Sequence, residues 1–322
     1  MYDFQVYYSA AQQALVNGQV YGIHFGLDTG FYKYSPFMLL VFMPYTVFSY
    51  KAACIVHFCI SSVLLVSTFL ILQKIAEDYF FLRKTEKRNG LLITSFICVA
   101  VHLVRELHLG NVNMILLYLL SWALLQLLRS KMIAAGILLG LAILVKPFFL
   151  LLFLPLLVHK QMKSLLSATF TMVFLIMLPV VYFGVSKNSV LHKEWIMAMA
   201  DHSNYLKSNN TIQSLIRFYI LNNSISLTGW FVVIVCAAYL LISINKPQSE
   251  SLPQSQLLPQ SQSLPQSLVI GYFFFIAIIP NLLITDTEHF LYTLPLIVII
   301  LNYLFQKKNY LLIALFIVIA AV

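Results

Sequence analysis

The sequence predicts an all-α integral membrane protein, a multi-span helical bundle, and three observations carry that prediction. Of its 322 residues, 61% are hydrophobic and 10% charged, at a mean hydropathy of +0.87. Soluble domains run at about 45–50% apolar and about 25% charged. The apolar residues also come in blocks of roughly 15–22, the length that crosses a hydrocarbon core. Finally, Lys and Arg fall mostly between the blocks. A soluble enzyme, a disordered tail and a disulfide scaffold are excluded. The net charge of +9 reads as the loop bias of membrane-protein cations, so no nucleic-acid partner is expected.

Residues 1–51 form a first polar stretch, expected to be an external loop with amphipathic interfacial helices. Asp3 opens a helix in which Phe4, Tyr8, Ala11 and Leu15 recur at helical spacing, ending near Gly18. Pro36 to Tyr50 contains Pro36, Pro44, Tyr45 and Tyr50. It is too short and too rich in Pro and Tyr to span, so an interfacial or re-entrant element is expected.

Residues 52–245 hold the transmembrane bundle. Its blocks are Ala52 to Gln73, Gly90 to Val104, Val112 to Leu128, Met132 to Val145, Phe148 to Val158, Ser164 to Gly184 and Leu227 to Ile244. The pair flanking Lys146-Pro147 is short and fits two thin spans or one kinked helix. An external loop is expected over 185–226. Residues 246–267 repeat Pro/Gln/Ser with a period of six, a composition that cannot repay its ordering entropy, and read as a disordered cytoplasmic linker. Residues 268–322 resume with Leu268 to Ile284, Phe290 to Leu304 and Tyr310 to Val322, the last stopping while still apolar. Met1-Tyr2-Asp3 lacks the basic and apolar regions of a cleavable signal. Cys54, Cys59, Cys98 and Cys236 all sit inside apolar blocks and read as small hydrophobes.

The densest basic cluster, Lys74, Arg83, Lys84, Lys87 and Arg88, is placed in the cytoplasm. Alternating spans then put Arg129, Lys131, Lys160, Lys163, Lys246, Lys307 and Lys308 on the same side, twelve of the 20 cations in all. The opposite side collects Asp3, Asp28, Glu106, Glu194, Asp201, Asp286 and Glu288, seven of the 11 acids. The polar chemistry of that extracytoplasmic side is expected to converge at the mouth of the bundle.

Asp3 there is either an ionisable functional group or a helix cap, since Asp is a favoured N-cap. Asp28-Thr29-Gly30 is turn chemistry. Lys146, at the end of an apolar run, must pair or reach water or a ligand, or snorkel. Arg105-Glu106 reads as an internal pair, and Gly110-Asn111-Val112-Asn113 as a tight turn with Asn111 as cap. Asn209 to Ser214, followed by Arg217, offers amides and hydroxyls suited to sugars and a guanidinium suited to phosphate. Asp286, Glu288 and His289 do not obviously converge, so no metal and no cofactor are expected. His192 and His202 read as solvated loop residues. HExxH, Walker A, GxSxG and GxGxxG motifs are missing from the sequence.

Taken in order, Asp3-Phe4-Gln5-Val6-Tyr7-Tyr8-Ser9-Ala10-Ala11, Gly18, Tyr21 and Tyr34-Ser35-Pro36-Phe37 resemble the first external loop of glycosyltransferase family 87. Gly110-Asn111-Val112-Asn113, Arg129, Ala135-Gly136 to Gly140-Leu141 and Lys146-Pro147 continue the resemblance, with weaker echoes at Asn210 to Ser214 and in the His289 segment before Pro295. The family's Tyr-Pro-Pro reads Tyr34-Ser35-Pro36 here, and its Gly-Gln-Val-Asn reads Gly110-Asn111-Val112-Asn113.

The resemblance implies a GT-C-type fold and a polyprenyl-phosphate-sugar-dependent, mannosyltransferase-like enzyme of the plasma membrane. It also implies a transmembrane helix ahead of the loop acid, so the start at Met1-Tyr2 points to a misplaced start or a shortened chain. The expected partners are a polyprenyl-phosphate-linked sugar donor, a lipid or glycan acceptor and membrane lipids. By the same resemblance Asp3 is the catalytic base. Lys146 and Arg217 would hold the donor phosphate, and His289 the phosphate or the acceptor. Tyr7, Tyr8 and Tyr34 would pack against sugar or prenyl chain, and Asn113 completes the binding set. The alternatives are a transporter or flippase for a lipid-linked sugar, and an inactive relative. Charge gathered at one face, with no inverted repeat, favours the enzyme.

Overall fold

The computed structural model describes residues 1–26, 30–79, 88–205, 228–244, 266–283 and 287–321. Helix is the dominant element, as the hydropathy pattern requires of a chain whose backbone must satisfy itself in lipid. Helix α1 (Tyr2–Leu15) and α2 (Pro36–Phe42) precede the long α3 (Tyr50–Tyr79) and α4 (Arg88–Leu109). Then follow α5 (Asn113–Leu128), α6 (Met132–Val145), α7 (Phe153–Val158), α8 (Met162–Met177), α9 (Val180–Tyr205), α10 (Thr228–Ile244), α11 (Gln266–Leu283), α12 (Leu294–Gln306) and α13 (Tyr310–Ala321). Three 3-10 segments, Met43–Val47, Pro147–Leu152 and Thr287–Thr293, join them.

Among the described residues, three stretches are long and apolar enough to cross a membrane: Tyr50–Asp78, Asn89–Leu109 and His289–Gln306. The bent pair α8–α9 makes a fourth if counted as one span. Other apolar helices are shorter; α5, with 16 residues, extends about 24 Å. Apolar side chains such as Ile55, Val63 and Val66 on α3, Val101 and Val104 on α4, and Phe170 and Val173 on α8 remain exposed. In a membrane protein that surface faces lipid.

The core forms where small residues let helices close up. A Cβ on Gly136 would fall against the Ser164 carbonyl and 2.5 Å from Ser167 Cβ, and one on Gly140 would meet the Ala168 carbonyl at 2.7 Å. These glycines of α6 therefore seat α8, a small-xxx-small contact. Ser164 and Ser167 add hydroxyl donors to the Met132 and Ile133 carbonyls at 3.0 and 2.9 Å.

Several sequence expectations change. Helix α3 runs beyond Gln73 to Tyr79, so Lys74 is helical and pairs with Asp78 at 3.5 Å. The block Ser164 to Gly184 is not one straight span. Helix α8 ends at Met177 and α9 leaves at 89°. Leu178 keeps helical backbone, φ −55° and ψ −40°, and its N–H still reaches the Phe174 carbonyl. Pro179 next to it has no N–H to continue the ladder, and Gly184 breaks α9 again with φ 75°. The described part of the expected external stretch, from residue 185 to Tyr205, is helical, so His192 lies on a helix, its Nδ1 2.9 Å from the Asn188 carbonyl oxygen. Pro36 to Val47, in contrast, is two short helical pieces, in keeping with the expectation that it is too short to span. The Pro/Gln/Ser tract lies outside the described residues as far as residue 265, and α11 begins at Gln266.

The turns Arg129–Lys131 and Lys307–Lys308 join antiparallel helices at one end of the bundle. The start of α3, the α4–α5 turn, the end of α6 and the 3-10 segment before α12 lie at the other end. Helix α1 docks at that second end. Phe4, Val6, Tyr7, Tyr8, Ala10, Ala11 and Ala14 are buried, whereas Leu15 is exposed where the chain turns through Asn17 at φ 57°.

Candidate active site

The site is organised by the four residues Gly110-Asn111-Val112-Asn113. Helix α4 closes with Gly110 in the left-handed region, φ 69°, and its N–H donates to the Glu106 carbonyl at 2.9 Å, a left-handed C-cap that glycine favours. A Cβ here would also lie 2.9 Å from Phe4 Cβ, so the turn is fitted to the first helix. Phe4 is fully buried, its ring 4.5 Å from that of His57 and 5.2 Å from that of Tyr45. Tyr50 donates to the Met1 carbonyl at 2.9 Å. These contacts hold the start of α1 over the turn.

Asp3 lies in the first turn of α1, whose N-cap is Met1; it is not the cap. Its carboxylate accepts a hydrogen bond from Asn111 Nδ2 at 2.8 Å. Asn111 Oδ1 in turn accepts from the Val112 N–H at 2.7 Å, Tyr7 hydroxyl at 3.3 Å and Tyr34 hydroxyl at 3.5 Å. Those donors fix the amide's orientation and aim its NH₂ at Asp3. Tyr7 and Tyr34 also share a hydroxyl contact of 3.1 Å. Burial, then the neighbouring Tyr34 and Asp3, push the Tyr7 hydroxyl well above its ordinary range, which keeps it a neutral donor.

Two residues on, Asn113 is fully buried and serves a cation. Its Oδ1 accepts from the Lys146 ammonium and from the Tyr292 hydroxyl, the latter at 3.0 Å. Lys146 also meets His289 Nε2 at 2.9 Å, and an ammonium only donates, so that nitrogen is the acceptor. Lys146 is exempt from the helix because the following Pro147 forces extended backbone there, φ −134° and ψ 98°. The His289 ring stacks on Tyr292 with centroids 6.0 Å apart, and the Lys146 ammonium sits 5.8 Å from the Phe148 ring centroid. Glu106, 1% exposed, accepts from Asn113 Nδ2 and from the Met114 N–H, both at 3.0 Å. It thereby does the capping at α5 that Asn111 was expected to do.

The sequence matches the profile of glycosyltransferase family 87 over residues 31–246. The chain belongs to glycosyltransferase family 87. No match was found among curated proteins or solved structures.

Within this family 87 glycosyltransferase the matched stretch covers Tyr34, Glu106, the Gly110 to Asn113 turn and Lys146, while Asp3 and His289 lie outside it. Geometry rather than profile ties those two to the rest. The structure gathers Asp3, Tyr7, Tyr34, Asn113, Lys146 and His289 around one turn. Tyr8 is buried elsewhere, its hydroxyl donating to the Phe48 carbonyl at 2.8 Å. Arg217 and the Asn209 to Ser214 cluster lie outside the described residues. Sequence reasoning passed over Glu106 and Asn111 as members of the site. An acid within an apolar helix, four residues before a glycine turn, was the available signal.

Proposed function

We propose that this membrane glycosyltransferase moves a hexose, mannose by preference, from a polyprenyl-phosphate donor to a lipid or glycan acceptor, with inversion. The observation that carries this reading is the Asn111–Asn113 turn, which presents a carboxylate on one side and a cation with an imidazole on the other. Asp3 takes the proton of the acceptor hydroxyl as its oxygen attacks the anomeric carbon. The sugar–phosphate bond breaks on the opposite face, its electron pair passing to the phosphate. Lys146 meets the charge that gathers there, with His289 beside it and Arg217 as a second cation. A lipid phosphate is already a good leaving group, so a base and a cation suffice.

The basic turns at the far end of the bundle support an extracytoplasmic site on the positive-inside rule, and the plasma membrane is the proposed location. The test is transfer by the purified full chain in lipid vesicles, supplied with labelled polyprenyl-phosphate mannose and membrane lipid extract. The reading expects a labelled product whose anomeric configuration is opposite to the donor's. Transfer from a nucleotide sugar without polyprenyl phosphate, or retention of configuration, overturns it.

A further inference from the structure

Glu106 has no part in the reaction proposed above, yet among the described residues it is the one buried carboxylate. A charge at that depth is expensive and calls for a function or a partner. A cap for α5 would need only a short polar side chain near its own first turn; a carboxylate reaching across from α4 does more. One oxygen takes the Met114 N–H and the other takes Asn113 Nδ2.

The second contact matters because a primary amide is nearly symmetric in shape and opposite in chemistry at its two ends. Were Asn113 turned over, its NH₂ would face the Lys146 ammonium, donor against donor, and Tyr292 would lose the carbonyl to which it donates. A carboxylate accepts and never donates, so Glu106 admits only one orientation. We infer that Glu106 is a positioning residue, whose carboxylate fixes the Asn113 amide so that Oδ1, together with His289, holds Lys146 where a phosphate-bearing lipid is bound. The inference rests on the reading of Lys146 as the phosphate-holding cation.

The logic predicts a swap. In E106Q the Gln carbonyl can still accept from Met114, which turns its NH₂ toward Asn113 and forces that amide over or breaks the contact. In N113D two carboxylates face each other. In the double variant E106Q/N113D the Gln NH₂ donates to one Asp oxygen, and the other accepts from Lys146 and Tyr292 as before. The original pattern is restored with the total charge unchanged.

The experiment measures binding of a polyprenyl phosphate, and of the matching polyprenol without phosphate, to the full-length purified protein in detergent, alongside the apparent melting temperature. E106Q and N113D are each expected to weaken polyprenyl-phosphate binding about tenfold or more, the scale of one lost charge-assisted contact. Polyprenol binding should stay unchanged, and the double variant should recover most of the loss. A merely structural Glu106 would lower stability or weaken both lipids alike, and that result overturns the inference. So does a double variant no better than the worse single one. K146A separates the two levels. Unchanged phosphate binding there overturns the reading of Lys146 and this inference with it. Weakened binding in K146A beside unchanged binding in E106Q overturns the inference alone.

Discussion

Gly110→Ala is the substitution that tests most sharply whether the α4–α5 turn sets the position of Asp3. Two costs arise. An L-residue held in the left-handed region loses about 1–2 kcal/mol. The added Cβ would also stand 2.9 Å from Phe4 Cβ, 3.1 Å from Met1 Sδ and 3.2 Å from Met1 Cβ. Reaching ordinary contact requires a withdrawal of about 0.5 Å, and overpacking of this kind costs about 1–3 kcal/mol. Phe4 Cβ cannot move without the backbone that carries it, so α1 lifts as a unit and Asp3 with it. The Asp3–Asn111 hydrogen bond, 2.8 Å in the wild type, then stretches to about 3.3 Å, outside the favourable range. Misplacement of a catalytic group by about 1 Å can cost 10²-fold, so a loss of about tenfold in kcat is expected, with the melting temperature lowered by several degrees. The control is Gly22→Ala. Gly22 also has a positive φ of 78°, but its nearest neighbour is Gln19 Nε2 at 3.7 Å. It should lose stability with kcat per folded enzyme unchanged. Gly110→Ala with wild-type kcat and melting temperature would refute the coupling of turn to base.

Two further predictions concern stability. Gly136→Leu should abolish the folded protein in detergent, because α6 and α8 meet there without room even for a methyl group; a monodisperse Gly136→Leu protein melting near the wild type would contradict that packing. Tyr7, Tyr21 and Tyr32 are buried with hydroxyls held well above their usual value of 10. Folding keeps those protons on, so stability is intact below pH 10 and declines as pH rises above it, since the unfolded chain ionises first. Each such group adds about 1.4 kcal/mol per pH unit to that decline. Tyr32→Phe should therefore flatten the fall in melting temperature between pH 10 and 11, and an unchanged slope would show that Tyr32 ionises as freely folded as unfolded.

Much of this architecture could be read from residue order alone, for physical reasons that differ by element. Apolar blocks report their own burial, so α5 and α6 match expectation almost to the residue. Periodicity exposed the α1 face through Phe4, Tyr8 and Ala11, and parity against the basic turns put Asp3 at the same end as Lys146 and His289. Most of what escaped depended on contacts between distant elements. The bend after Met177 falls beside one proline in an otherwise continuous apolar run, where hydropathy averages away the break. The adjacency of Glu106 to Arg105 is visible in sequence, whereas its reach from α4 to Asn113 and Met114 is not. Tyr8 shares a helix with Tyr7 but points to Phe48, a difference of about 100° around the axis that composition does not register. The overlap at Gly110 with Phe4 joins positions more than a hundred residues apart, which no local pattern encodes.

The central claim is that Asp3 removes the acceptor's proton, and Asp3→Asn tests it with the least collateral change. Asn matches Asp in shape, and its carbonyl can still accept from Asn111, so helix α1 and its turn stay seated. Turnover of polyprenyl-phosphate mannose by the Asp3→Asn protein in lipid vesicles is predicted to fall by about 10²–10⁴-fold, the usual worth of a general base. Affinity for the donor and the melting temperature should stay close to wild type. Near-normal turnover in Asp3→Asn would contradict the account.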